Sequence, residues 1–187
     1  MPGSAENQGF AQFDTPVGVC LIVWTPNGIA ALRLPEASPE VARTHIRKSF
    51  PDIEEKEPSP EAAAAIAAVQ KLLRGEKVDL SMIRLDLTGV PELNRAVYDI
   101  ARAIPPGETR SYGDIAKQIG GDPLLAQAVG QALGRNPVTI IVPCHRVLAA
   151  GGKVGGFSAF GSIHTKRKLL AIESVFKSEP DLFNRQQ

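Results

Sequence analysis

The sequence has few of the residues that build disulfide frameworks and metal centres. It contains two cysteines and three histidines among 187 residues. Two cysteines are too few for a disulfide framework, although a single disulfide between Cys20 and Cys144 remains an alternative. The cysteines and histidines are scattered and show none of the short spacings of zinc ligands. The sequence therefore predicts no metal and no cofactor.

Long apolar runs are also missing. No stretch approaches the roughly 20 apolar residues that cross a bilayer. Residues 1–10 lack the basic and apolar regions of a signal peptide. We therefore expect a cytoplasmic protein without a membrane partner. With 43% hydrophobic residues, the chain can bury a core, and its length suits one large domain or two small ones.

A large net charge is absent as well, because the chain carries only +1 at pH 7. The distribution is nevertheless uneven. Residues 1–88 hold 9 Lys+Arg against 12 Asp+Glu, whereas residues 89–173 hold 10 against 6. The basic half could face a polyanion, although a difference this small is equally compatible with chance.

The first half of the chain alternates apolar runs with turn residues. β-Branched and aromatic runs bounded by Pro, Asn and Gly are typical of strands, and a serine followed by proline is typical of a helix start. The predicted elements are strands at 10–13, 17–24 and 29–34, a helix beginning at Ser38-Pro39, a helix over 60–74, and a strand at 80–89. We expect residues 1–88 to form an α/β domain with a small antiparallel sheet.

The second half reads as mainly helical. Predicted helices cover 91–103, 112–120, 124–134 and 165–176, with an apolar, extended and buried segment at 138–142. Two short helices joined by Gly120-Gly121 fit a helix-turn-helix motif, and an ordinary helical hairpin is the alternative. The fold class is thus α+β, with a mostly helical domain at 89–176 and a loose tail at 177–187.

The segment best suited to nucleophilic catalysis is Pro143-Cys144-His145-Arg146, which directly follows the apolar segment. Proline keeps the residue before it, Val142, extended, so we expect Cys144 to lie at a bend where the extended segment ends. A neighbouring histidine can take the thiol proton, directly or through water. Glu173 is a charged residue on the apolar face of the last helix, where it needs a partner. A buried structural cysteine and histidine are the plain alternative.

The run RNPVTIIVPCHRVLAAGGKVGGFSAFGS, with SYGDIA at 111–116 and AVGQALGRNP at 128–137, resembles the O6-alkylguanine-DNA alkyltransferases. The similarity extends to GVPELNRAVYDIARAIPPGETRSYG at 89–113 and, more loosely, to DTPVGVCLIVWTPNGIAAL at 14–32. The resemblance implies a ribonuclease H-like N-terminal domain and a C-terminal helix-turn-helix domain. It also implies DNA repair, in which an alkyl group passes irreversibly from O6-alkylguanine to the protein.

The resemblance assigns a role to each matching residue. Cys144 would be the nucleophile, His145 the base acting through a water, and Glu173 the group that holds His145. Asn136 would brace the active-site turn. Tyr112 would donate a hydrogen bond to the damaged base, and the Val147 carbonyl and Ser158 amide would read the guanine edge. The implied DNA-contacting residues on and after the second helix of the motif are Gln127, Ala128, Gly130 and Arg135.

Double-stranded DNA containing O6-alkylguanine is the implied partner of a monomer that needs no other protein. Gln127 stands where the family usually has an arginine that fills the gap left by the flipped base. A protein that binds or senses alkylated DNA with altered substrate preference is therefore the alternative, and a cysteine hydrolase is another. Lys166, Arg167 and Lys168 are further candidates for phosphate contact.

Overall fold

Three strands at the start of the chain form an antiparallel meander, as predicted. The structure is a computed structural model that describes residues 7–122, 124–155 and 162–174. The strands are β1 (Gly9–Thr15), β2 (Gly18–Thr25) and β3 (Gly28–Arg33), in the order β1-β2-β3. Thr15 and Thr25 close the two hairpins, because their hydroxyls accept hydrogen bonds from the amides of Val17 and Asn27.

The central strand is buried on both sides, which explains its unbroken apolar run VCLIVW. Successive side chains of a strand point to opposite faces of the sheet. Cys20 and Ile22 contact the larger core, whereas Leu21 and Val23 belong to a second apolar cluster. Both faces therefore need a covering layer.

Two helices supply these layers, and both confirm the predictions. Helix α1 (Pro39–Ser49) packs Ile46 into the second cluster, and α2 (Pro60–Leu73) packs Val69 into the larger core. The hydroxyls of Ser38 and Ser59 cap them by accepting hydrogen bonds from amides of the first turn. A proline follows each cap, at a position where no amide donor is required.

The predicted strand at 80–89 is wrong. Leu85 alone forms an isolated bridge, parallel to Ile29 of β3. Aspartates open turns on both sides, because Asp79 accepts a hydrogen bond from the Ser81 amide and Asp86 accepts one from the Thr88 amide. Such side-chain bonds to the backbone two residues later compete with strand pairing.

The next helix, α3 (Glu92–Arg102), lies within the predicted range. Val97, Tyr98 and Ala101 are its buried residues, whereas Leu93 is 37% exposed. The Tyr98 hydroxyl donates to the Ala132 carbonyl at 2.8 Å, which ties α3 to the fifth helix.

The remaining elements are β4 (Arg110–Ser111), α4 (Tyr112–Ile119), α5 (Leu125–Gly134), β5 (Val147–Leu148), which is parallel to β4, and α6 (Ser162–Ile172). Ser111 and Asp114 form a capping box at the start of α4, because each side chain accepts a hydrogen bond from the other residue's amide. The inward positions of Leu169 and Leu170 on α6 are confirmed, since both are buried. No helix in the described ranges is long and apolar enough to cross a bilayer.

The sheet and the helical half are joined at the free edge of β3. The Leu32 amide donates to the Pro137 carbonyl at 3.0 Å, and the Thr139 amide donates to the Leu32 carbonyl at 3.1 Å. The N-terminal sheet thus holds the start of the segment that leads to Cys144.

Candidate active site

The segment before Cys144 is buried, as predicted, but it is a tight turn and not an extended strand. Thr139 pairs with Val142, and the Val142 amide donates to the Val138 carbonyl at 2.9 Å. Ile140, at the tip of this turn, has a φ of 77°, a left-handed conformation that β-branched residues rarely adopt. Surrounding contacts must therefore over-determine the turn.

Asn136 supplies two of these contacts. Its Nδ2 donates to the Val142 carbonyl and its Oδ1 accepts from the Val138 amide, both at 2.9 Å. One buried side chain thereby clamps both ends of the turn. Pro143 follows, and the chain enters a 3-10 turn over Cys144–Arg146.

Cys144 is buried, with 5% of its surface exposed. Burial raises the pKa of its thiol, whereas a hydrogen bond from Asn136, the charge of Lys166 and nearby backbone amides lower it. Burial outweighs these effects, so the resting group is a thiol. A thiol becomes a good nucleophile only when it loses its proton, and the site therefore needs a base.

His145 lies next in the chain and is fully enclosed. Its Nε2 lies 2.8 Å from Glu173 Oε1. Glu173 directly follows Ile172, the last residue of α6, although the predicted helix at 165–176 included it. Burial alone would raise the pKa of Glu173, but hydrogen bonds from His145 and Arg146 outweigh burial and lower it to about 2. The carboxylate is therefore ionised and accepts the Nε2 hydrogen.

The contact with Glu173 fixes which nitrogen of His145 is the base. Since Nε2 carries the hydrogen, Nδ1 of the neutral ring is an acceptor. Nδ1 is buried and has no hydrogen-bond partner among the described residues. Burial, together with the charges of Arg146 and Lys166, lowers the pKa of His145, although Glu173 acts in the opposite direction. The ring is therefore a neutral base at neutral pH.

Tyr112 is the first residue of α4 and is half-buried beside the site. The Lys166 ammonium donates to the Tyr112 hydroxyl at 3.4 Å and lies 5.6 Å from its ring centre. Burial raises the pKa of Tyr112, and so does the negative charge of Cys144 when it ionises. Gly155 closes the other side of the ring, since a Cβ there would lie 3.2 Å from it.

The prediction that Lys166 is a surface residue for phosphate contact is wrong. The side chain is fully buried, and its Nζ donates to the Val147 carbonyl at 2.6 Å. Burial lowers the pKa of this ammonium, whereas the charge of Cys144 raises it. Arg167 and Lys168, by contrast, are exposed.

The other expected site residues spread along α5 and the loops. Gln127 is exposed on α5, Ala128 is partly buried, and Gly130 lies against the Tyr112 ring. Arg135 follows α5 and is exposed. Ser158 lies outside the described residues.

Sequence reasoning missed two residues, Arg146 and Lys166. Lys166 had a signal, because it stands three, four and seven residues before Leu169, Leu170 and Glu173, on one helical stripe. Arg146 had none, because nothing local shows that its guanidinium turns inward to Glu173.

Cys20, the second cysteine, lies apart from the candidate active site. Cys20 and Cys144 are both free and buried. Cys20 lies in β2 with its sulfur 3.7 Å from the Thr15 hydroxyl, and burial raises its pKa to about 12. The residues that the structure describes contain no cluster of His, Cys, Asp and Glu suited to a metal ion.

Known proteins share this arrangement of sequence and fold. Residues 92–175 match the DNA-binding domain of 6-O-methylguanine DNA methyltransferases. The methylated-DNA–protein-cysteine methyltransferase of Mycobacterium bovis is 38% identical over 167 residues, which are 88% of this chain and 91% of the relative. The crystal structure of the Mycobacterium tuberculosis O6-methylguanine methyltransferase has a TM-score of 0.69 and 37% identity, covering 94% of this chain and 97% of that one.

A second crystal structure shows the Mycobacterium tuberculosis OGT in complex with DNA. It also has a TM-score of 0.69 and 37% identity, and covers 88% of this chain and 92% of that one. These relatives share the combination of a small antiparallel sheet with helices. The chain therefore belongs to the family of methylated-DNA–protein-cysteine methyltransferases.

Proposed function

We propose that this protein repairs DNA by transferring the alkyl group of O6-alkylguanine, typically a methyl group, to Cys144. The observation that carries the proposal is the hydrogen bond of 2.8 Å between His145 and Glu173. It leaves Nδ1 of a neutral imidazole as an acceptor, on the residue that follows the buried thiol of Cys144 in the chain. The naming of the relatives as methyltransferases supports the same conclusion.

The proposed step begins with the Cys144 proton. It passes through one water to Nδ1 of His145, while Glu173 stabilises the imidazolium that forms. The thiolate attacks the alkyl carbon in line with the bond to O6. A sulfur–carbon bond forms, the carbon–oxygen bond breaks, and the electron pair stays on guanine. The resulting thioether has no easy return path, so each molecule reacts once.

Tyr112 is the proposed donor to the departing guanine. A phenol that accepts a hydrogen bond from Lys166 keeps its own O–H for another acceptor. A donor placed where negative charge develops lowers the barrier of the transfer. The Val147 carbonyl and the Ser158 amide are proposed to read the guanine edge. The Val147 carbonyl has a second lone pair for this contact besides the one that meets Lys166.

Double-stranded DNA is the proposed partner. The damaged atom lies inside the duplex, so the nucleotide must rotate out of the stack before Cys144 can reach it. We assign α4 and α5 as a helix-turn-helix whose second helix meets the DNA, with small Ala128 and Gly130 allowing close approach. Gln127 would take the place of the flipped base, and Arg135 would contact a phosphate.

The predictions about domains, localisation and oligomeric state complete the proposal. We place the domain boundary between residues 88 and 89, with a ribonuclease H-like fold before it. Residues 177–187, expected to be a loose tail, lie outside the described residues. The protein is proposed to act as a cytoplasmic monomer without an obligate protein partner. A role restricted to binding or sensing alkylated DNA is not favoured, since the relatives are methyltransferases and Cys144 is present with its base.

Intact-mass analysis tests the proposal. Wild type and Cys144→Ala are each mixed with duplex DNA carrying O6-methylguanine, and Cys20→Ala serves as the matched cysteine control. We expect wild type and Cys20→Ala to gain the mass of one methyl group in place of a hydrogen, and Cys144→Ala to gain nothing. A wild type that gains no mass on duplex, single strand or free base contradicts the proposal.

A further inference from the structure

A guanidinium group lies directly behind the His145–Glu173 pair. Arg146 is buried, and its Nε and Nη2 donate to the two oxygens of Glu173 at 2.9 and 2.8 Å. Its Nη1 donates to the Ile104 carbonyl at 2.6 Å. A bidentate pair of this kind fixes the plane of the carboxylate as well as its position.

His145 and Arg146 therefore donate to the same oxygen of Glu173. Glu173 Oε1 accepts from His145 Nε2 and from Arg146 Nη2, both at 2.8 Å. Glu173 Oε2 accepts from Arg146 Nε and more distantly from the Gly107 amide at 3.4 Å. Arg146 thus supplies two of these four hydrogen bonds, one to each oxygen, whereas His145 supplies one.

The charges around His145 come from several elements. Glu173 favours the imidazolium, while Arg146 on the same turn and Lys166 on α6 disfavour it. The carboxylate of Asp79, between α2 and α3, interacts electrostatically with Arg146. Cys144 and Tyr112 are the remaining titratable neighbours, and both are neutral at rest because burial raises the pKa of each.

We propose that Arg146 is a positioning residue for alkyl transfer: it offsets the charge of Glu173, so that His145 stays neutral and Nδ1 is free to take the Cys144 proton. The inference rests on the proposed function. An unpaired carboxylate within hydrogen-bond distance would hold His145 as imidazolium, which has donors on both nitrogens and no acceptor. Arg146 thereby separates two tasks of Glu173, since the carboxylate still orients the ring but does not charge it before the reaction.

The test compares Arg146→Gln with Arg146→Lys. The titration of His145 is followed by NMR in the free protein, with His145→Gln used to assign its signals among the three histidines. We expect the pH at which His145 takes up its proton to rise by about one unit or more in Arg146→Gln. Arg146→Lys keeps the charge and should titrate close to wild type, although it loses the bidentate geometry.

The rate of methyl transfer gives the second measurement. The acid limb of its pH profile should move to higher pH in Arg146→Gln, with part of the rate recovered at alkaline pH. A residue that merely supports the fold would lower the rate equally at every pH. An unchanged acid limb and an unchanged His145 titration in folded Arg146→Gln would overturn the inference.

Wild type keeps the inference testable if Arg146→Gln does not fold. The ¹⁵N shifts of wild-type His145 should show a neutral ring with hydrogen on Nε2 below pH 6.5, its ordinary pKa. An imidazolium in wild type at pH 7 contradicts the inference. These titrations need no DNA, so they are separable from a failure of methyl transfer itself, which wild type and duplex DNA reveal.

Discussion

The Lys166 ammonium lies 3.4 Å from the Tyr112 hydroxyl and 5.6 Å from the centre of its ring. A buried cation beside a phenol and a thiol favours negative charge on either of them. Lys166 therefore links the proposed nucleophile, Cys144, to the group proposed to donate to the departing guanine.

Lys166→Met should slow methyl transfer by about tenfold or more, equivalent to roughly 1.4 kcal/mol in the barrier. It should also shift alkylation of Cys144 by iodoacetamide to higher pH, because the Lys166 charge lowers the pKa of that thiol. Lys168→Met, an exposed neighbour on α6, is the matched control, and iodoacetamide should alkylate its Cys144 with the pH dependence of wild type. Equal rates for the two variants would contradict a role for the buried charge.

Asn136→Ala removes the clamp on the turn that holds Cys144. Two buried hydrogen bonds are lost, and the Val138 amide that is left unpaired costs about 1–3 kcal/mol. We expect a lower free energy of unfolding in urea and a slower transfer. Asn136→Asp keeps the acceptor for the Val138 amide but not the donor to Val142. Its unfolding free energy and transfer rate should therefore lie between those of wild type and Asn136→Ala. A stability equal to that of wild type in Asn136→Ala would show that the turn does not depend on this side chain.

Glu173 makes the free energy of unfolding depend on pH in the acidic range. Its pKa is lowered from 4.5 to about 2, so its contribution of about 3 kcal/mol is complete above pH 4.5 and disappears as pH falls towards 2. Thermal unfolding from pH 6 to 2 should show this loss in wild type. Glu173→Gln should be less stable at pH 6 and less sensitive to acid. Parallel Tm curves for the two proteins would be inconsistent with an ionised Glu173.

Gln127→Arg tests the proposed role of Gln127 on α5. An arginine should fill the space of the flipped base better and speed repair of duplex DNA several-fold. The rate with free O6-methylguanine base should not change, because no flipping is needed. Gln131→Arg, exposed one turn later, adds the same charge and controls for general attraction to DNA. A similar gain in both variants would assign the effect to charge alone.

The sequence foretold those elements whose signals are local. The hairpins at 9–33 and the Ser38 cap of α1 depend on neighbouring residues, and both are confirmed. The contact between His145 and Glu173 was expected from the family resemblance and not from periodicity alone. It joins residues 28 positions apart.

The errors lie where distant contacts override local preference. Residues 138–142 have the composition of a strand, but Asn136 and the edge of β3 fold them into a turn with Ile140 left-handed. Residues 80–89 lose their strand because aspartates bond to the nearby backbone. Lys166 was assigned to the surface by its charge, although the helical period places it inside.

The most direct test of the account is the stoichiometry of transfer. Wild type is incubated with an excess of duplex DNA carrying O6-methylguanine, and the protein is digested and mapped by mass spectrometry. We predict one methyl group per molecule, located on Cys144, and no further repair after the protein is consumed. Continued turnover, or a methyl group on any other residue, would contradict the central claim.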